Sequence, residues 1–371
     1  MSALLQNGAY LEEFRRTRCI PIHKRNDKSN PSNYRPIHIV SSIVNLLEKI
    51  FARQLMAYVE RLQKLHFYQY GFRVGFESGM LINNVRKYFY GQPLLNNYCG
   101  ALVTDMTNAF GSSDVDIIIS DMKDFFSVRA LKMLRSFLAR STIRVETNGE
   151  KSAEYHSSDR GFGQGSSFSA QLYLILMRKS HVDSPKYQQH SFADDATGIS
   201  KSSTKSGLLE GLELARAAFV GFCEKYNMTI NTKKTFVYLF GKPWGDTDDI
   251  QLQIYGNRLR IEDSMTLLGI RLHKDLQFTP HVNEIASVFR RKLSLICQFK
   301  DITNTKTAVT LIQAYLHGKF NYANGYLPYY KDAEYLRMQN LHPDGASMWK
   351  VDVKLNVAPV PKNNYRKTAY S

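Results

Sequence analysis

Three aspartates stand in sequence contexts that could bind divalent cations. Asp194 and Asp195 are adjacent within residues 188–200, where apolar and β-compatible residues on both sides predict a hairpin with the acid pair at its tip. Neighbouring carboxylates on a tight turn repel each other unless they are solvated or bound to a cation. Oxygen ligands of this kind suit Mg²⁺, whereas an isolated Asp-Asp pair is more often an ordinary exposed turn.

Asp105 makes this pair more than an isolated turn. It ends the apolar run 100–105 and is followed by residues that resemble a turn into a helix. Two strands that bring Asp105 beside Asp194 would hold two divalent ions about 4 Å apart, one to activate a hydroxyl nucleophile and one to stabilise a leaving group. This arrangement performs phosphoryl transfer largely by positioning and electrostatics.

A glycine-rich segment, residues 159–170, lies between the two acidic segments. Glycines at positions 161, 163 and 165 permit close approach of the backbone to a ligand. Ser166 or Ser167 is predicted to cap a helix that begins with Phe168.

Helical and strand-like segments alternate around these sites, as expected for an α/β or α+β protein. The apolar spacing predicts helices over residues 42–65, 208–222, 282–296 and 307–320, a strand over 100–105, and a hairpin over 252–261 that turns at Gly-Asn. From His342 onward the sequence predicts a loose tail.

Composition indicates a globular protein with an affinity for polyanions. The 371 residues include 49 Lys+Arg and 33 Asp+Glu, a net charge of +16. Residues 1–73 carry 12 Lys/Arg against 5 Asp/Glu, a surplus of 7, so nearly half of the excess lies in a fifth of the chain. Such a surface can attract nucleic acid through its phosphates, although bulk charge alone also fits a solvated surface without a partner.

Other bulk features predict an intracellular protein, in the cytoplasm or the nucleus, with no membrane contact. No apolar run reaches the roughly 18–20 residues that span a bilayer, and the N-terminus lacks the regions of a signal peptide. The four widely spaced cysteines are predicted to be reduced core residues.

The order of the motifs is that of a known family. The chain resembles the reverse transcriptase of non-long-terminal-repeat (LINE-type) retrotransposons from about Phe14 to Tyr330. Its segments are similar to the family patterns PIxKxxD, NYRPI, QxGFR, LDxxxAF, RGxxQGS, F/YADD, NxLxINxxKT and LGI/LGV. In the same order, the matching segments are residues 21–27, 33–37, 69–73, 104–110, 160–166, 192–195, 226–235 and 267–270.

The resemblance implies a right-hand polymerase of the α+β class that adds dNTPs to a DNA primer on an RNA template. Its domains would be fingers over residues 1–98, a palm over 99–278 with an antiparallel sheet, thumb-like helices over 279–340 and a basic tail over 341–371. About 330 residues fit such a core, and the motifs of a separate nuclease are not seen, so the chain would be a fragment or a domesticated copy of a longer element.

The resemblance also implies a role for individual residues. Asp105, Asp194 and Asp195 would be the catalytic carboxylates that bind two Mg²⁺ ions, with Mn²⁺ as an alternative, and Lys234 would be a general acid near the leaving pyrophosphate. The resemblance further implies six residues that bind the substrates. Phe110, preceded by Ala109, would lie under the incoming sugar and exclude a 2′-hydroxyl; Gln164 and Gly165 would shape the nucleotide and template pocket; Arg35 and Lys24 would hold the triphosphate.

Two alternatives remain open. An RNA-templated RNA polymerase shares the same chemistry, but Phe110 offers no polar group to a 2′-hydroxyl. A non-catalytic nucleic-acid-binding relic is the other, because Gly111 stands where the family usually has a second Asp after Ala-Phe, and Ser169-Ala170 replaces its Ser-Pro. All three predicted metal ligands are nevertheless present.

Overall fold

The computed structural model describes two compact units, one through Gly269 and one from Ile270. Its described residues are 11–24, 26–89, 96–107, 111, 113–157, 166–241, 244, 247, 250–273, 279–299, 302, 304–317 and 322. Of the predicted site residues, Ala109, Phe110, Gln164 and Gly165 lie outside this set, as do the predicted tail and residues 318–320 of the last predicted helix.

The described residues of the first unit form six α-helices and two main sheets. Its α-helices are α1 (Ser42–Arg61), α2 (Ser78–Phe89), α3 (Val115–Asp121), α4 (Val128–Leu138), α5 (Ser167–Met177) and α6 (Lys205–Lys225). Its strands are β1 (Arg16–His23), β2 (Tyr34–Ile39), β3 (Tyr98–Thr104), β4 (Met106–Thr107), β5 (Thr142–Thr147), β6 (Glu150–Lys151), β7 (Tyr155–His156), β8 (Gln188–Phe192), β9 (Asp195–Ser202), β10 (Thr229–Ile230), β11 (Phe236–Gly241), β12 (Gln253–Ile254), β13 (Asn257–Arg258), β14 (Arg260–Glu262) and β15 (Ser264–Leu267).

A five-stranded sheet in the order β14-β11-β3-β9-β8 forms the centre of the first unit. Strand β3 lies in its middle, antiparallel to both β11 and β9. Residues 99–102 are buried along β3, which explains the nearly continuous apolar run in the sequence. The sheet therefore brings the end of β3 next to the start of β9.

Helix α6 covers β3 and β9. All five residues that the spacing predicted for its apolar face are buried: Leu208, Leu212, Ala215, Phe219 and Phe222. The helix approaches the sheet closely because Gly198 has no side chain, since a Cβ at Gly198 would lie 2.8 Å from the Cβ of Ala215.

A second sheet has the order β2-β1-β5-β6, with β7 also paired to β5. We call it the basic sheet because β1 and β2 belong to the basic N-terminal segment. Strands β1 and β2 are antiparallel with Ile22 opposite Arg35, and β1 runs parallel to β5. Lys24 follows β1, and its backbone N–H donates to the carbonyl of Asn33 (2.8 Å).

Helix α1 packs on α5 through both apolar and polar contacts. The rings of Phe51 and Phe168 lie with centroids 6.4 Å apart. Beside them the buried Glu48 accepts a hydrogen bond from the hydroxyl of Ser166 (2.7 Å). The same hydroxyl accepts the N–H groups of Phe168 and Ser169 (both 3.2 Å). Of the two serines that the sequence offered as N-cap, Ser166 is therefore the cap, and the helix begins at Ser167 and not at Phe168.

The second unit begins with β16 (Ile270–His273) and continues with the helices α7 (Thr279–Cys297) and α8 (Thr305–Ile312). The face predicted for α7 is buried at Val282, Ile285, Leu293 and Ile296. Asn304 caps α8 by accepting the N–H of Thr307, and a π-helical turn, Gln313–His317, follows it. The helix predicted from residue 307 therefore begins two residues earlier and loses its α-helical geometry after Ile312.

Most other sequence predictions agree with these elements. The predicted helix 42–65 ends at Arg61, and the predicted hairpin over 252–261 turns at Tyr255 and Gly256, one residue before Gly-Asn, because these two residues take the positive φ values (51° and 74°). All four cysteines are free, and three of them are buried. Among the described helices, none is long and apolar enough to cross a bilayer.

Two buried histidines, His190 on β8 and His181 before it, make the stability of the fold sensitive to acid. Burial, with a smaller contribution from His66, lowers the pKa of His190 to about 3, and burial, His66 and His190 together lower the pKa of His181 to about 3. An unfolded histidine titrates near pH 6.5. The unfolded chain therefore binds more protons between about pH 6.5 and 3, and stability is lost as the pH falls through that window.

We expect the variant His190→Gln to flatten this dependence. His190 is only 1% exposed, so its protonation opposes folding by up to about 1.4 kcal/mol per pH unit below 6.5. Between pH 7 and pH 5 the variant should lose about 1–2 kcal/mol less free energy of unfolding than the wild type, as measured by urea denaturation. His156→Gln, at an exposed position, should keep the wild-type slope. Equal slopes for His190→Gln and wild type would contradict the assignment.

We also expect Glu48 and Ser166 to be coupled energetically. Ser166→Ala removes an N-cap and leaves a buried carboxyl without its donor, so it should lower the free energy of unfolding by about 1–3 kcal/mol. The double variant with Glu48→Gln should lose less than the sum of the two single variants, by about 0.5 kcal/mol or more. Ser127→Ala, which removes the N-cap hydroxyl that accepts the N–H of Ala130 on α4, should be additive with Glu48→Gln. Additivity in both pairs would show that the Glu48–Ser166 contact is energetically unimportant.

Candidate nucleic-acid polymerase site

The register of β3 and β9 brings two of the predicted metal-binding segments to one end of the central sheet. Thr104, the last residue of β3, lies opposite Ala196, and the Thr104 hydroxyl donates to the Ala196 carbonyl (2.9 Å). Asp105 follows Thr104 and Asp195 precedes Ala196. The two aspartates therefore stand at the same end of adjacent strands, as the sequence predicted.

The β8–β9 hairpin holds Asp194 and Asp195 at its tip. Phe192 pairs with Asp195, so Ala193 and Asp194 form a two-residue turn. Ala193 has φ 55°, in the left-handed region that non-glycine residues seldom adopt. The neighbouring structure must impose this conformation, because the residue itself disfavours it.

Backbone contacts from residues 231–235 fix Asp105. The N–H of Asp105 donates to the hydroxyl of the buried Thr235 (3.2 Å), and the carbonyl of Asp105 accepts from the N–H of Asn231 (2.8 Å). Strand β10 adds a short antiparallel ladder with β4, in which Ile230 faces Met106. The segment predicted to supply only Lys234 therefore also supports the backbone that carries Asp105.

The acidic residues act on one another electrostatically. Burial raises the pKa of Asp195 to about 6, and the charges of Asp194 and Asp105 add to this effect, while Lys234 opposes it. The pKa of Asp194 is raised chiefly by burial, and Lys234 and Arg35 oppose the increase. Both side chains still reach solvent at the sheet end. The site thus concentrates negative charge that a bound cation would neutralise.

Two predicted basic residues lie within electrostatic reach of these acids. The Nζ atom of Lys234 forms an ion pair with Oδ2 of Asp105 at 3.4 Å. Arg35 lies on β2 of the basic sheet and still affects the pKa of Asp194. Lys24 stands one residue beyond the end of β1, and the structure shows no contact between its side chain and the acids.

The donor chemistry at this end of the sheet fits a divalent metal ion. Carboxylate oxygens are the ligands that Mg²⁺ prefers, and the three aspartates share an environment that raises the pKa of two of them. Among the described residues, however, no three His, Cys, Asp or Glu side chains converge closely enough to enclose an ion. The strands bring the three residues together, and the positions of their side chains do not by themselves form a closed metal cage.

Three residues with supporting contacts in the first unit were not assigned a role by the sequence patterns. Thr235 accepts the Asp105 N–H, Glu48 holds the Ser166 cap, and Gly71 adjoins the turn that carries Asp194. Each of them makes its contact with a residue distant in the chain. The only local signal was that Thr235 and Gly71 fall inside recognised segments.

Comparison with solved structures gives the architecture. The apo telomerase structure from Candida tropicalis matches with a TM-score of 0.50 at 11% sequence identity, covering 90% of this chain and 61% of that chain. At this identity the likeness shows the fold alone. The chain has the right-hand polymerase fold of the α+β class that the motifs predicted.

Comparison with sequences gives the family. The family model described as reverse transcriptase (RNA-dependent DNA polymerase) matches residues 22–272. The probable RNA-directed DNA polymerase from transposon BS of Drosophila melanogaster is 24% identical over 318 residues, covering 84% of this chain and 35% of that protein. The RNA-directed DNA polymerase from the mobile element jockey of the same species is 23% identical over 301 residues, covering 79% of this chain and 32% of that protein.

This chain spans about a third of the length of those curated relatives. The matched region nevertheless includes both strands that carry the three aspartates and the segment that carries Lys234. The chain therefore belongs to the reverse transcriptase (RNA-dependent DNA polymerase) family, in the non-LTR retrotransposon group that its motifs resembled.

Proposed function

We propose that this chain is an RNA-templated DNA polymerase, which adds dNTPs to the 3′-hydroxyl of a DNA primer. The single observation that carries the proposal is the convergence of Asp105, Asp194 and Asp195 at one end of the β3–β9 ladder. Family membership supports it independently, because the matched family consists of enzymes of this class. We also propose an intracellular location, in the cytoplasm or the nucleus.

In this proposal the three aspartates bind two divalent ions, Mg²⁺ or alternatively Mn²⁺. When bound, such ions activate the primer hydroxyl and stabilise the leaving pyrophosphate. Asp194 and Asp195 are held on a turn, while Asp105 is fixed through its own backbone by Thr235 and Asn231. Rotation of the carboxylate side chains on this fixed backbone would complete the ligand set.

We propose that the remaining residues act on the incoming nucleotide. Arg35 is proposed to bind the triphosphate, and its electrostatic reach to Asp194 supports this role. Lys24, directly after β1, is proposed to assist it. Lys234 is proposed as the general acid, supported by its ion pair with Asp105. Ala109, Phe110, Gln164 and Gly165 are proposed to line the sugar and template pocket from segments outside the described residues.

The domain assignments follow from the same proposal. Residues 1–98 would act as fingers, 99–278 as palm, 279–340 as thumb and 341–371 as a basic tail. The basic sheet of the first unit and the helices of the second would contact the phosphate backbones of template and primer. Contacts of this type give affinity without sequence preference.

Primer extension on an RNA template with Mg²⁺ tests the activity. The wild type should incorporate dNTPs, and Asp194→Asn should reduce incorporation by at least about 10³-fold, because it removes negative charge from the site while preserving side-chain size. Asp183→Asn, at an exposed acid away from the site, should leave the rate unchanged. Chelation of divalent ions should stop the wild-type reaction.

The outcomes of that assay separate the alternatives. A preference for rNTPs would favour an RNA-templated RNA polymerase. Tight binding of primer–template, with no extension in Mg²⁺ or Mn²⁺, would overturn both polymerase assignments in favour of a nucleic-acid-binding relic.

The adjacent lysines 233 and 234 allow a matched test of the general acid. Lys234→Leu should slow nucleotide addition by about 10²-fold or more, because protonation of the leaving pyrophosphate is lost. Lys233→Leu removes a neighbouring charge whose side chain is exposed, and it should have little effect. Single-turnover kinetics at saturating dNTP measure both rates. Equal slowing by the two variants would assign the effect to local charge and not to proton transfer by Lys234.

A further inference from the structure

The segment formed by residues 68–73, which includes the QxGFR motif, lies along the outer edge of β8. The N–H of Ser191 donates to the Tyr68 carbonyl, and the N–H of Tyr70 donates to the Ser191 carbonyl (both 2.9 Å). Gln69 and Ser191 thereby form a parallel β-bridge. The side chain of the buried Gln69 also donates to the Leu174 carbonyl on α5 (2.5 Å). The segment is thus attached to both the sheet and the helix behind it.

Beyond this bridge, Gly71 abuts the turn that carries Asp194. A Cβ at position 71 would lie 2.4 Å from the backbone N of Ala193 and 3.1 Å from the carbonyl carbon of Phe192. Both are backbone atoms, so no side-chain rotation could relieve the overlap. Ala193 is the residue with the unfavourable positive φ. The backbone at Gly71 therefore limits where the turn can lie, on the side opposite to the β9 ladder.

Arg73 fixes the other end of the segment. Its guanidinium forms a forked pair with Glu60 on α1 (2.8 and 2.9 Å) and donates to the carbonyls of His66 (2.9 Å) and Gln69 (2.8 Å). It also lies over the ring of Phe76, 3.9 Å from the centroid. The side chain is only 7% exposed, so these contacts replace its hydration. A lysine could not reproduce this planar fork.

We propose that residues 68–73 are a positioning element for the catalytic turn, with Gly71 as its contact and the Arg73–Glu60 pair as its anchor. The proposal rests on the proposed polymerase function, because only that function makes the turn at Ala193 and Asp194 catalytic. In this proposal Gly71 and the Arg73–Glu60 pair act through the backbone of Ala193 and not through contacts with nucleotide or primer. Their alteration should therefore lower the rate of nucleotide addition and leave the binding of primer–template unchanged.

Gly71→Ala is the direct test. The maximal rate of dNTP addition should fall by about 10-fold or more, because displacement of the reacting groups by a fraction of an ångström is costly. The Kd for primer–template, measured by fluorescence anisotropy without divalent ions, should stay within about twofold, since phosphate contacts dominate that affinity. Gly221→Ala on α6 is the matched control, because a Cβ there meets no atom within 4 Å. It should retain the wild-type rate.

Arg73→Lys tests the anchor and keeps the charge. It should also lower the rate, and it should accelerate hydrogen exchange of the Tyr70 and Ser191 amides, which form the bridge to β8. The exchange measurement does not require polymerase activity. If the wild type extends no primer, the proposed function fails, while faster exchange in Arg73→Lys would still support the positioning element.

Two results would overturn the proposal. The first is a wild-type rate of dNTP addition in either Arg73→Lys or a folded Gly71→Ala protein. The second is unchanged exchange of the Tyr70 and Ser191 amides in Arg73→Lys, whether or not the wild type is active. Should Gly71→Ala fail to fold, Arg73→Lys decides the question by both measurements.

Discussion

Mutual repulsion among Asp105, Asp194 and Asp195 is the constraint that the first unit has to satisfy. Partial burial is the larger cause of the raised pKa of Asp195, and the charges of Asp194 and Asp105 add to it. Side-chain interactions contribute little to holding this group together, because the ion pair between Lys234 and Asp105 is exposed and of small energetic value. The backbone must therefore hold the acids in place.

The backbone does so through three independent sets of contacts. The β3–β9 ladder fixes the distance between the strand ends, Thr235 and Asn231 fix the peptide groups of Asp105, and residues 68–73 limit the turn at Ala193. None of these contacts involves a carboxylate oxygen. These supports therefore do not occupy the carboxylate oxygens, and they can be weakened by mutation without changing the charge of the site.

The sequence predicted correctly several features that depend on the residue pattern within a single element. The apolar and β-compatible residues on both sides of the acid pair in residues 188–200 indicated the hairpin. The spacing from Leu208 to Phe222 indicated the buried face of α6, because that face depends on the periodicity of one element. Motif order then indicated that Asp105 and Asp194 would meet. The helix predicted over 307–320 was less accurate, since no local signal marks the change to a π-helical turn at Gln313.

The remaining features depend on contacts between distant residues of ordinary type. Nothing in the spacing distinguishes Glu48 from the polar residues of an amphipathic helix, yet it is buried and bonded to Ser166. Gly71 likewise reads as one more turn glycine until the backbone of Ala193 is found against it. Periodicity specifies which face of an element is buried, but it does not specify the partner. Residues that position a catalytic group through the backbone carry no chemical signature of that role, so only the three-dimensional contact can assign it.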